Sequence, residues 1–307
     1  WGCRLIAKGV ALRRLGVPVD RLACVRYLRT AADAEHLRVA LASARRVAVI
    51  GGGFIGLEVA SLARSLGREV TLLERAPAPL ARLLPSAFGH AVAELLRARG
   101  VEVRTRVSTI ALEGEMWVQA VRTDDGARIP ADLVVVGIGV RPELGWLAGT
   151  GVATDDGIPI DPHGRTNLPE VFAAGDVAAA FVPLAGRRMR LEHYGNAAAQ
   201  GAAAGAAMAG GSRPHVPVPG AGATLAGARV QVAGVPSAGV RTHVRGSVGA
   251  GAFLAYFLDA EDRLVGAFAL DRPRELLAAR RLLGQRVDPA VLLSDRPVHG
   301  PPGGPTG

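Results

Sequence analysis

Apolar positions along this chain switch between two periods. Val47-Ala48-Val49-Ile50 is an unbroken apolar run that stops at Gly51-Gly52-Gly53, the pattern of a strand buried on both faces. Leu57 to Leu66 then carries apolar residues at helical spacing, and Glu69 to Leu73 returns as a second strand. The same reading predicts a strand at Arg4–Ala7 and a helix at Ala31–Ala42, with Thr30 as its N-cap and Asp33 in its first turn. A helix at Ser86–Arg99 and a strand at Val101–Thr105 follow. Residues 107–136 predict antiparallel β: Ile110–Leu112, Met116–Arg122, a turn at Asp125-Gly126 and a strand at Arg128-Ile129. Leu133–Val136 is again a buried run, entering Gly137-Ile138-Gly139. Further on, Val171–Ala174 predicts a strand that delivers Gly175-Asp176 to the N-terminus of a helix. Asn196 opens a helix that stops at Gly210-Gly211. Past a linker carrying Pro214, Pro217, Pro219 and Gly220, strands are expected near 229–233, 252–258 and 263–269, with a helix at Pro273–Leu283.

The first run has chemistry attached. Strand, G-x-G-x-x-G, helix, second strand and a carboxylate, Glu74, at its end form the complete context of a dinucleotide-binding turn. Gly51 permits the tight turn. Gly53 has no side chain to block a pyrophosphate, and Gly56 lets the helix pack closely on the strand. Gly52, Phe54 and Ile55 complete the corner and carry backbone N–H groups to the phosphates at the helix N-terminus. Glu74 can accept hydrogen bonds from the adenosine ribose hydroxyls, which favours NAD over NADP, although Arg75 beside it would suit a 2′-phosphate.

Composition narrows the classes. At 307 residues the chain holds roughly two domains. Hydrophobic residues make up 49% of it but aromatics only 4%, and no apolar run approaches the roughly 20 residues needed to span a bilayer. No signal sequence is visible, so the cytoplasm is the expected location. Cys3 and Cys24 are the only cysteines and are not in C-x-x-C spacing, which argues against a disulfide scaffold, a zinc site or a redox pair. The net charge of +9 is carried almost wholly by arginine, Lys8 being the one lysine. The arginines are scattered and no nucleic-acid motif appears, which argues against a nucleic acid. The charge reflects either a GC-rich genome that spells basic residues as arginine or attraction to an acidic protein partner, and alone it does not decide the partner.

Five stretches taken together resemble the flavin-dependent ferredoxin and rubredoxin reductases of the pyridine nucleotide-disulfide oxidoreductase superfamily. They are Tyr27-Leu28-Arg29-Thr30 with Asp33; Gly51–Glu58; Leu133–Pro142; Val171–Asp176 with Glu192–Ala197 and Gln200; and Asp271–Glu275. The resemblance implies an α/β protein with a Rossmann-like NAD(P)-binding domain (31–146), a partial FAD-binding domain in two pieces (1–30 and 147–212), and a smaller α+β C-terminal domain (213–297). Residues 298–307 are expected to be a disordered tail. It further implies that Glu58 meets the nicotinamide carboxamide and that Gly139 lets backbone approach the nicotinamide ribose. Asp176 would bond the ribityl and pyrophosphate region of FAD, and Glu192, Asn196 and Gln200 would lie by the flavin. The implied cofactors are FAD and NADH, and the implied partner is a ferredoxin-type iron–sulfur protein. Oligomeric state is left open.

The chain departs from that pattern in two places. It begins at what would be the closing strand of a first βαβ unit, so the resemblance implies that the chain alone is flavin-poor, and a non-catalytic NAD-binding remnant is the alternative expectation. The tryptophan-rich strand implied after Val216-Pro217 is replaced by Val218-Pro219-Gly220-Ala221-Gly222.

Overall fold

The computed structural model describes residues 2–19 and 22–294. Its centre is a five-stranded, all-parallel sheet in the order Val25–Tyr27, Leu133–Val136, Arg46–Ile50, Glu69–Glu74, Val101–Thr105. Alternate residues of each strand face opposite layers, as the pleat requires. Val47, Val49, Leu72 and Val135 pack under the helices Ala31–Ser43, Phe54–Ser65 and Ser86–Arg97. Ala48, Ile50, Leu73 and Val134 pack under the antiparallel sheet Thr109–Glu113, Ala120–Thr123, Arg128–Pro130. Burial on both faces explains why these strands read as continuous apolar runs.

A second α/β unit pairs Arg4–Ile6 in parallel with Val171–Ala173. Beside it lie the strands Ile158–Ile160, Ala178–Val182 and Arg187–Arg190 and the helix Tyr194–Met208. Two crossing segments, Val10–Leu12 and Val140–Pro142, join this unit to the central one and pair antiparallel with each other. The remaining unit is an antiparallel sheet ordered Gly220–Leu225, Ala228–Gly234, Leu264–Leu270, Ala252–Leu258, Arg241–Ser247, covered by the helices Pro273–Arg280 and Pro289–Leu293. It seats on the central unit through Phe88, whose ring lies 5.9, 5.3 and 5.8 Å from those of Phe253, Phe257 and Phe268.

Several elements differ from expectation. No helix follows Asp176: Gly175–Val177 is a single 3-10 turn, and the chain continues as strand because Ala178–Val182 pairs with Ile158–Ile160 on one side and Arg187–Arg190 on the other. Met116 and Trp117 do not join the meander but lie exposed ahead of Ala120–Thr123. Strands at Gly220–Leu225 and Arg241–Ser247 were not expected, since glycine and alanine in the first and mixed polar residues in the second erase any period-two signal. The tail expected at 298–307 lies outside the described residues. Among those described, no helix is long and apolar enough to cross a membrane.

Candidate active site

The central sheet reverses its strand order at Arg46–Ile50, whose chain successor Glu69–Glu74 lies on one side and Leu133–Val136 on the other. Such a switch point opens a crevice beyond the carboxyl ends of the strands, where ligands of α/β sheets bind. Both glycine turns, Gly51–Gly53 and Gly137–Gly139, sit there.

The three fingerprint glycines divide the work as their positions predict. Gly51 has φ +110°, and a Cβ on it would overlap the Gly137 carbonyl. A Cβ on Gly56 would overlap the Gly51 carbonyl, so helix and strand can close only without it. A Cβ on Gly53 would meet no atom within 4 Å. The first two glycines make room for protein backbone; the third leaves room outside the protein. Gly53 is also the N-cap of the helix Phe54–Ser65, and no side chain caps that helix, so its first-turn N–H groups have no side-chain partner. These features fit a diphosphate.

Glu74 does more than its sequence position suggests. Its two carboxylate oxygens accept from Gly52 N–H at 2.5 Å and Ala76 N–H at 2.6 Å, so it braces the glycine corner while each oxygen keeps lone-pair capacity for a ribose. From the other side Leu80, held at φ +56°, donates its N–H to the Gly52 carbonyl at 3.0 Å. Nothing in the sequence marks Leu80 for this role. Glu58 stands on the outer face of the helix without an ion-pair partner among the described residues. Burial of its carboxyl by the surrounding wall pushes its pKa above the usual carboxylate value, though the side chain still reaches solvent. Gly139, at φ +92°, completes the opposite lip, and a Cβ there would reach Arg82 Nη2 at 3.0 Å.

The second unit offers a polar cluster around Asp176. No protein group among the described residues bonds the Asp176 carboxylate. Gln200 is 3% exposed; its Oε1 accepts from Gly175 N–H at 2.8 Å, while its buried Nε2 has no partner. An orphaned buried donor beside a free carboxylate fits a polyol or phosphate ligand carrying both donors and acceptors. Asn196, one turn earlier, is already occupied. Its Nδ2 donates to the Leu191 carbonyl and its Oδ1 lies 3.2 Å from His215 Nε2. The helix begins at Tyr194 rather than Asn196, because His193 caps it by accepting from Gly195 N–H at 3.1 Å. Glu192 forms an ion pair with Arg190 at 2.8 Å. Between this helix start and the edge strand Gly220–Leu225 lies a cavity of about 690 Å³, bordered by His193, Asn196, His215, Gln231 and Arg280. The small residues Gly220 to Ala223 leave that space open.

Comparison with known proteins agrees with this arrangement. The family model for pyridine nucleotide-disulphide oxidoreductases matches residues 4–201, and that for the reductase C-terminal domain matches 226–297. The ferredoxin--NAD(+) reductase component of the anthranilate 1,2-dioxygenase system from Burkholderia cepacia is 38% identical over 290 residues, covering 94% of this chain and 71% of that protein. Among solved structures, the ferredoxin reductase for the CYP199A2 system of Rhodopseudomonas palustris superposes with a TM-score of 0.90 at 31% identity, over 96% of this chain and 74% of that one. The reductase in the covalent putidaredoxin reductase–putidaredoxin complex gives 0.88 at 31% identity, over 95% and 72%. The chain belongs to the pyridine nucleotide-disulphide oxidoreductase family. Its two cysteines, Cys3 and Cys24, are both free, so the described residues carry no disulfide pair.

Proposed function

We propose that this protein is the reductase of an electron-transfer chain: it takes hydride from NADH onto FAD and delivers single electrons to a ferredoxin-type iron–sulfur protein. The observation that carries the reading is the open space over Gly53 at a sheet switch point, next to an uncapped helix N-terminus. Similarity to a ferredoxin--NAD(+) reductase component and to a putidaredoxin reductase supports the acceptor class, and the net charge of +9 suits encounter with an acidic partner. These relatives favour the enzyme over a non-catalytic remnant. A cytoplasmic location and the domain division at about residues 30, 146 and 212 belong to the same reading.

In it, Gly51, Gly52, Gly53, Phe54, Ile55 and Gly56 hold the NADH diphosphate through backbone N–H groups. Glu74 takes the adenosine ribose, and Glu58 and Gly139 position the nicotinamide half. On the facing side Asp176 and Gln200 hold the ribityl and phosphate part of FAD, with Glu192 and Asn196 shaping the wall. Asn196 acts there chiefly by fixing the helix start against His215, since its side chain is already bonded. When bound, FAD supplies the chemistry that converts a hydride into two single-electron deliveries. The protein's own task is to orient the two cofactors and keep water from the gap between them.

The test is anaerobic addition of one equivalent of NADH to the FAD-supplied protein. The expected result is loss of the flavin's visible absorption, followed by its return when oxidised plant-type [2Fe–2S] ferredoxin is added. Absorption unchanged by NADH would overturn the proposal.

A further inference from the structure

Arg190 carries an unexpected density of contacts for a residue on an edge strand. It ends the strand Arg187–Arg190, its side chain is only 7% exposed, and its guanidinium engages two distant segments as well as the neighbouring Glu192. Nε pairs with Asp156 Oδ1 at 3.0 Å. Nη1 donates both to the Asp176 main-chain carbonyl at 3.2 Å and to Glu192 Oε1 at 2.8 Å. The turn Asp155-Asp156-Gly157 wraps around its stem. Gly157 lies at φ +110°, and a Cβ there would stand 2.6 Å from Arg190 Cδ and 2.9 Å from the Val177 carbonyl. A buried cation is retained only where its hydrogen bonds are satisfied, and a planar fork can reach three acceptors that a point charge cannot.

From this geometry we infer that Arg190 is a positioning residue for the flavin. It fixes the Asp176 turn and the Glu192 carboxylate relative to each other, and it neutralises Glu192 beside the site. This rests on the reading that FAD sits over Asp176. It differs from ordinary strand packing in one respect. Asp176 sits on a single 3-10 turn held at two main-chain points, Gly175 N–H by Gln200 Oε1 and the Asp176 carbonyl by Arg190 Nη1, and only the Arg190 bond falls on Asp176 itself. Loosening the fork frees the Asp176 backbone, which weakens FAD in either redox state. It also leaves the Glu192 negative charge less compensated, which opposes the more negative reduced flavin in particular.

The experiment compares the full chain with Arg190→Lys, which keeps charge and stem but not the fork, and with Asp156→Asn, which removes only the outer partner. FAD affinity is measured by quenching of flavin fluorescence, the midpoint potential by dye equilibration, and NADH affinity by calorimetry. In Arg190→Lys the oxidised flavin is expected to bind about tenfold more weakly and the reduced flavin about tenfold more weakly again. That second factor lowers the two-electron midpoint by about 30 mV. Asp156→Asn weakens oxidised FAD by a smaller factor, but it removes a negative charge from the cluster and leaves the guanidinium to Glu192, so its midpoint moves upward instead. NADH affinity stays at the unmodified protein's value in both. FAD affinity within twofold and an unmoved midpoint in Arg190→Lys would overturn the inference. Should that variant not fold, the same unmoved pair in Asp156→Asn overturns it. An unmodified protein that binds NADH but no FAD would sink the underlying reading instead.

Discussion

Two glycines three residues apart, Gly53 and Gly56, answer to different constraints. Gly53 sits at φ −77°, ψ 174°, a conformation open to any residue, and faces empty space. Gly53→Ala is therefore expected to fold with stability within about 0.5 kcal/mol of the unmodified protein. Its methyl group occupies the place of the diphosphate, so NADH affinity drops at least tenfold by calorimetry. Gly56→Ala meets the Gly51 carbonyl, and the strand–helix contact cannot close around it. That variant is expected to lose thermal stability first and binding only as a consequence. Equal melting temperatures for the two variants would refute the division of roles. The same contrast separates Glu74 from a simple ribose ligand: its carboxylate is a structural partner of Gly52 and Ala76 before any nucleotide arrives.

At the scale of elements, legibility followed periodicity. The strands Arg46–Ile50, Glu69–Glu74 and Leu133–Val136 are readable because burial on both faces leaves continuous apolar runs, and the helix at Ala31 because Thr30 and Asp33 form a reciprocal capping box. The edge strand Gly220–Leu225 was illegible because its pairing is dictated by Ala228–Gly234, not by its own side chains. Asp176, Glu192 and Gln200 entered as candidates through the family resemblance of the stretches that carry them, not through any periodicity. Arg190 and His215 did not enter, since each is defined by contacts with distant segments. His215 ties the linker to the helix Tyr194–Met208 through Asn196, and desolvation holds its pKa below the ordinary 6.5. A histidine whose folded pKa is depressed leaves stability intact above the unfolded value. Stability is lost as pH falls from about 6.5, because the unfolded chain then takes up a proton that the folded one refuses. Urea titrations between pH 7.5 and 5 should therefore show declining stability, with a shallower decline in His215→Gln. Identical slopes for the two proteins would remove His215 from the account.

For the whole molecule, the decisive feature is that one apolar cluster runs through two units. Leu57, Val92 and Leu96 of the central unit share it with Val230, Phe253, Phe257 and Phe268 of the C-terminal sheet. Phe88 is the wedge between them, meeting Phe257 edge-on with the ring planes at 81°. A hydrogen bond from Ala226 N–H to Ser61 Oγ at 2.7 Å fastens the same interface at its margin. The dinucleotide corner and the sheet that borders the cavity therefore belong to one packed body. By contrast the unit bearing Asp176 joins it through the narrow pair Val10–Leu12 and Val140–Pro142 and through the His215 tether. Truncating a buried phenylalanine costs about 3–5 kcal/mol through lost burial and an unfilled cavity. Phe88→Ala is expected to lose that much and, more tellingly, to split a single calorimetric transition into two as the C-terminal sheet melts separately. NADH binding should survive at temperatures below the first transition, since Phe88 touches none of the corner residues through a hydrogen bond. A single transition that merely shifts downward would mean that the two units remain one cooperative body without the wedge, and that the shared cluster, not Phe88, is what joins them.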